Sequence, residues 1–260
     1  MLLNAVVIVL REVIEASLII SIFLAFSQAI NRSRLWLLLG LGLGTITAVV
    51  YALNIITVSQ WFEGVGQEVV NASIHLLLYL VLLLFMVLAS SHQFSKYQNT
   101  LIVTMMIGVV LASSREGSEI ILYIHGFSSI PELFKSVVLG GAIGAGIGIS
   151  VGVFFYYLLV NLQTEKGIKL GYILILLVAS SMVSQAVQLL IQADWIVSQY
   201  PLWDTSNWIS ERSVTGQLLY ALIGYEATPT PIQVIAYLSS IVIMVTLSLL
   251  AYFGSIRVNI

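Results

Sequence analysis

Residues 2–30 read LLNAVVIVLREVIEASLIISIFLAFSQAI, an apolar run of membrane-spanning length with Arg11, Glu12 and Glu15 set inside it. About 20 predominantly apolar residues suffice to cross the roughly 30 Å hydrocarbon layer of a bilayer. No basic segment precedes the run and three ionisable residues interrupt it, so it is expected to be a first membrane helix and not a cleaved leader. The same five-residue pattern returns further on: Arg11-Glu12-Val13-Ile14-Glu15 is answered by Arg115-Glu116-Gly117-Ser118-Glu119.

The rest of the chain has the same character. Of 260 residues, 59% are hydrophobic and 8% charged, and the mean hydropathy is +1.04, which leaves too little polar surface for a soluble domain. The chain is expected to be an all-α integral membrane protein of a plasma (bacterial inner) membrane. A net charge of -2 without any basic run gives nucleic acid nothing to bind. Cysteine is absent, so a metal could be held only by oxygen or imidazole. The three histidines, His75, His92 and His125, fall in different segments, and no permanently bound cofactor is expected.

Seven apolar stretches are long enough to span, at about 2–30, 35–58, 67–91, 100–126, 135–161, 168–193 and 231–255. They form one transmembrane domain. The long connection, about 194–230, holds Trp195, Trp203, Trp208 and two of the four prolines, a composition suited to an interfacial lid on the outer side. Alternate connections differ in charge. One set carries Arg32, Arg34, Lys96, Lys166, Lys169 and Arg257 against Glu165; the other carries Glu63, Glu68, Glu132, Asp194, Asp204, Glu211 and Glu226 against Lys135 and Arg212. Excess positive charge marks the cytoplasmic side, giving an outer N-terminus and a cytoplasmic C-terminus. The acidic outer face either concentrates cations or merely tolerates acids.

Because the five-residue pattern recurs three spans later, repeats at about 1–91 and 100–193 would have opposite orientation, a 3+3 inverted repeat followed by a seventh helix. The second span of each set is glycine-rich, with Gly40, Gly42 and Gly44 in one and Gly140, Gly144, Gly148 and Gly152 in the other. Such stripes let helix backbones approach closely. The third spans carry polar stripes at matching spacing: Glu68, Asn71 and His75, and Gln185, Gln188 and Gln192. These line a pathway or glue the bundle by hydrogen bonds.

Burying the six ionisable residues of the two motifs unpaired would cost about 15–20 kcal/mol, at about 2.5–3.5 kcal/mol each. That exceeds the stability of a typical domain. Within each motif the arginine and both glutamates share a helical face, so pairing is available. It does not balance, because each motif has two carboxylates and one guanidinium. A divalent or trivalent cation would make up the deficit, with Glu12, Glu15, Glu116 and Glu119 as an oxygen cage and Arg11 and Arg115 orienting the ligands. Protonation of some glutamates is the alternative.

These residues resemble the high-affinity iron permeases, also called the oxidase-dependent iron transporter family, which are marked by R-E-G-x-E in the first and fourth spans. Arg115 to Glu119 fit that pattern in full, whereas Val13 replaces the usual glycine in the first motif. Asn71 stands where the family tends to have a second acid after Glu68. Similarity continues through Pro201-Leu202-Trp203-Asp204, Gly216-Gln217-Leu218-Leu219 and Gly224-Tyr225 before Pro229. The resemblance implies iron import, with iron as transported substrate and a separate extracytoplasmic redox or iron-delivery protein as partner; some relatives are linked to lead. A proton-coupled transporter and a structural membrane scaffold subunit are the competing readings.

Overall fold

Leucine, isoleucine and valine dominate long runs that contain no interior proline, and in lipid a helix is the way such a run satisfies its own backbone. The computed structural model of the protein describes residues 1–30, 34–91, 97–211 and 213–257. Its elements are α1 (Leu2–Ala29), α2 (Leu35–Leu53), α3 (Ile55–Ser59), a 3-10 turn (Trp61–Gly64), α4 (Gly66–Ser90), α5 (Gln98–His125), α6 (Pro131–Asn161), α7 (Thr164–Gln192), α8 (Val214–Ile223) and α9 (Pro231–Arg257). No strand occurs among the described residues. Pro131 and Pro231 stand at the first position of α6 and α9, where the missing N–H costs nothing. Arg32, His92, Lys96 and Arg212 lie outside the described residues.

Six described helices are long and apolar enough to cross a membrane: α2, α4, α5, α6, α7 from Lys166 and α9 to Gly254. The seventh expected span, α1, has 28 residues, about 42 Å at 1.5 Å per residue, and carries the first charged motif. The second expected span proves shorter than its apolar run. α2 stops at Leu53, where the Asn54 amide turns back to donate to the Val50 carbonyl at 2.8 Å, competing with helix continuation. The chain then folds through α3 and the 3-10 turn, with Phe62 and Glu63 at φ 51° and 65°. Gly66 is needed there, because a Cβ would lie 1.9 Å from the Val58 carbonyl oxygen.

The glycines set the packing. A Cβ on Gly144 would lie 2.5 Å from the Val6 oxygen and 3.0 Å from the Leu10 nitrogen; Gly140, Gly148 and Gly152 meet Leu2, Val13 and Ser17 in the same order. α6 therefore runs parallel to α1 with the backbones nearly touching. Ser17 and Ser21 donate across the seam to the carbonyls of Gly148 and Gly152 at 3.1 and 2.7 Å. α2 meets α5 in the same manner, Gly40 against Val109 and Gly44 against Ser113. α4 packs on α7, and α9 covers both. Phe23, Phe26 and Phe85 interlock in the core.

The two ends of the bundle differ. At one, Arg34 donates to the Tyr156 hydroxyl at 3.2 Å, and Tyr156 bonds Gln28. At the other, Phe62 packs on Trp195 at 5.6 Å between ring centroids. The segment after α7 does more than cover this end, since it contains α8. That helix starts at Ser213, whose hydroxyl accepts from the Gly216 amide at 3.0 Å, and stops at Gly224 with φ 68°. Ala221 packs with Leu10, Ile14 and Leu18 of α1, so α8 reaches the level of the first motif.

Candidate functional site

α1 and α5 cross in opposite directions: the Phe23 ring fills the space over Gly108, while residues 11–15 meet residues 115–119. This brings the two motifs into one cluster. Arg115 is its centre, with Nη1 lying 2.6 Å from Glu116, 3.3 Å from Glu12 and 3.6 Å from Glu15, and Nη2 lying 3.1 Å from Glu119. Arg11 lies 2.5 Å from Glu12, 3.8 Å from Glu15 and 4.0 Å from Glu119. In both motifs the nearest carboxylate of the arginine's own helix is the following residue, not the one four residues on. The long guanidinium arm folds back along the helix, and the contacts that matter most for assembly cross between motifs.

The two arginines are not equivalent. Arg115 is buried with a side-chain exposure of 7%, whereas Arg11 keeps 30% and carries the Tyr220 ring of α8 against its guanidinium, 5.3 Å from Cζ to the centroid. Glu12, Glu15 and Glu116 are buried and Glu119 is partly open. With two guanidiniums serving four carboxylates, hydrogen bonding is incomplete. Neither oxygen of Glu15 has a hydrogen bond, and neither does Nε of Arg115. Buried groups left so call for a further partner. Among the described residues no three acids or histidines stand grouped to hold a metal ion by themselves; the Arg115 guanidinium occupies the position among the four carboxylates.

The residues of the polar stripes distribute unevenly. His75 and Gln185 are buried without a hydrogen bond on any side-chain nitrogen or oxygen. Asn71 is buried and accepts from the Tyr51 hydroxyl at 3.2 Å. Glu68 and Gln188 are half-buried, and Gln192 is exposed. Tyr51 lies within electrostatic reach of both Glu68 and Glu119, linking the N-terminal part of α4 to the second motif.

Sequence reasoning passes over Tyr51 and Tyr220. Tyrosines are common near membrane interfaces and neither stands in a charged motif. A signal for Tyr220 exists nonetheless: VTGQLLYALI, between Ser213 and Gly224, has a capping residue at each end but is too short to span. A second acid lies in the loop after α8. Glu226 accepts from Gln233 Nε2 at 2.7 Å, while burial and then the nearby Glu211 push its carboxyl up to about 7. Pro229, Gln233 and Tyr237 line a largely apolar cavity of about 630 Å³ beside it.

A family model described as the Iron permease FTR1 family matches residues 2–259. Curated relatives named Ferrous iron permease EfeU, from Yersinia pestis and from Yersinia pseudotuberculosis serotype I, are 29% identical over 134 residues. The matched stretch is 50% of this chain and 46% or 45% of those relatives, so the alignment spans about half their length. No solved structure matches the chain.

Proposed function

Since the chain belongs to the Iron permease FTR1 family, a family of transporters and not of enzymes, we propose that it imports iron across the plasma (inner) membrane through the paired Arg-Glu-x-x-Glu motifs. The observation that carries this reading is the convergence of Glu12, Glu15, Glu116 and Glu119 on two guanidiniums. Four carboxylates against two fixed cations leave about two negative charges for a mobile cation, if all are ionised. Oxygen ligands suit a hard ion.

In this reading Arg115 is the resident counter-ion. An entering iron ion competes with its guanidinium for carboxylate oxygens, and departure of the ion lets the guanidinium return. That exchange limits affinity, which a transporter requires if the ion is to leave. Arg11, partly exposed beneath Tyr220, would be the first to yield.

The transmembrane arrangement proposed is seven spans with an outer N-terminus and a cytoplasmic C-terminus, the first six forming a 3+3 inverted repeat. Support comes from pairings that exchange under such symmetry. α1 runs parallel to α6, and α2 runs parallel to α5, each seam built on the glycines of the second span. Glu68, Asn71, His75, Gln185 and Gln188 then border the route. A separate extracytoplasmic protein would adjust the oxidation state of the iron or deliver it. The relatives' printed name makes Fe²⁺ the first ion to test.

One observation favours the scaffold reading: Arg115 touches all four carboxylates, as a purely structural ion-pair network would require. Uptake into vesicles containing the purified protein separates the two. Fe²⁺, Fe³⁺, Pb²⁺, Zn²⁺ and Mn²⁺ are offered in turn, and accumulation of iron above protein-free vesicles is expected. Absence of flux for every ion, with protein that is folded and inserted, would leave the scaffold.

A further inference from the structure

Resting on the permease reading, we propose that His75 and Gln185, together with the carboxylate of Glu15 shared with the Arg115-filled cluster, form a second subsite for a divalent cation of the Fe²⁺ type beside that cluster.

Three helices bring these residues to one layer. α4 and α7 run antiparallel, with the Tyr172 hydroxyl donating to the Ala89 carbonyl at 2.8 Å and Leu82 lining one small void with Ile175 and Val178. Continuing that register sets His75 beside Met182. Gln185 follows one turn further along α7. α1 and α7 are antiparallel too, since Phe26 packs on Gly171 while Ile22 and Ile175 line the same small void. The same register sets Glu15 level with Met182. Arg115 acts electrostatically on His75, which ties this layer to the motifs.

The second observation is the state of these groups. Both nitrogens of His75, both polar atoms of Gln185 and both oxygens of Glu15 are buried without a hydrogen bond. Polar residues kept as packing glue would be bonded to one another or to backbone, as Ser17 and Ser21 are. Two neutral side chains without hydrogen bonds, level with a carboxylate that is ion-paired but not hydrogen-bonded, define a place where a ligand belongs. Their chemistry selects its class. One imidazole nitrogen and one amide oxygen are neutral donors and Glu15 supplies a single charge, a set matched to a divalent ion that accepts nitrogen. Calcium and magnesium prefer oxygen alone. An ion passing from the carboxylate cluster to this layer would keep Glu15, which lies 3.6 Å from Arg115 and 3.8 Å from Arg11, and exchange the other carboxylates for two neutral donors.

The test uses the full-length protein, purified under anaerobic conditions. Co²⁺, whose visible absorption reports nitrogen ligation, is the spectroscopic probe, and Fe²⁺ is titrated in parallel. Two expectations must both hold. His75→Leu and Gln185→Leu should each raise the metal-free Tm, because an apolar side chain replaces an orphaned polar one. Each should also weaken Co²⁺ and Fe²⁺ affinity at least tenfold, with His75→Leu removing the nitrogen signature. A fall in metal-free Tm, or metal affinity and spectrum unchanged in the variants, overturns the subsite. If the unaltered protein neither binds nor transports any of the metals, the permease reading itself fails. If it does both and the variants match it, only the subsite is lost.

Discussion

Arg115 meets four carboxylates with one guanidinium, so its removal and that of any one glutamate are different perturbations. Glu→Gln at position 12, 15, 116 or 119 keeps size and removes a charge, so insertion should be unimpaired or eased. Iron uptake by expression-matched variants should nevertheless fall at least tenfold at each position. Near-normal uptake in two or more would reject the ligand assignment. Arg115→Lys should retain more uptake than Arg115→Ala but less than the native residue, because an ammonium keeps the charge without the planar fork that reaches several oxygens. Glu226 gives a pH prediction. Its carboxyl, raised to about 7, holds its proton more tightly folded than unfolded, so its contribution to stability is present at low pH and declines as pH rises through about 7. Glu226→Gln should flatten the dependence of Tm on pH between 5 and 8 and raise Tm most at pH 8. An unchanged profile would show that Glu226 does not govern that window.

At the scale of elements, the seams between helices depend on glycine in a position-specific way. Gly144→Val places a side chain against the Val6 carbonyl and must push α1 from α6, whereas Gly146 has open space around it. The first change should cost about 1–3 kcal/mol of stability as overpacking does, and Gly146→Ala should be neutral or stabilising. Thermal denaturation in detergent compares the two; equal effects would mean the seam is not as close as described. α8 offers a second test at this scale. Tyr220→Phe keeps the ring on Arg11 and should transport nearly as the native protein does, while Tyr220→Leu removes it and should alter the apparent KM for iron more than the expression level. The individual long helices were legible from apolar length alone, but the stop at Asn54 was not, because the residues after it are as apolar as those before. A side-chain hydrogen bond and a glycine admitting close backbone contact decided it, and neither leaves a mark on hydropathy.

For the whole molecule, reporter fusions after Lys96 and Lys166 should read cytoplasmic, and fusions after Pro131 and Trp203 should read external. An external signal at Lys96 would invert the orientation and remove the basis for opposed repeats. Composition alone determined that this chain belongs in lipid, and the recurrence of Arg-Glu-x-x-Glu alone determined which residues carry its charge, because buried ionisable groups are too costly to be incidental. What only the tertiary structure decided was their pairing. Sequence spacing can place an arginine and two glutamates on one face of a helix, yet it carries no information on which groups from another helix arrive there. The antiparallel crossing of α1 and α5 puts Arg115 among all four carboxylates and leaves Arg11 at the edge of the cluster, near three of them and against the Tyr220 ring. The parallel glycine seams fix α1 on α6 and α2 on α5, and the register of α4 and α7 leaves His75 and Gln185 without partners. Each of these depends on contacts between residues far apart in the chain, which packing geometry sets and local sequence does not.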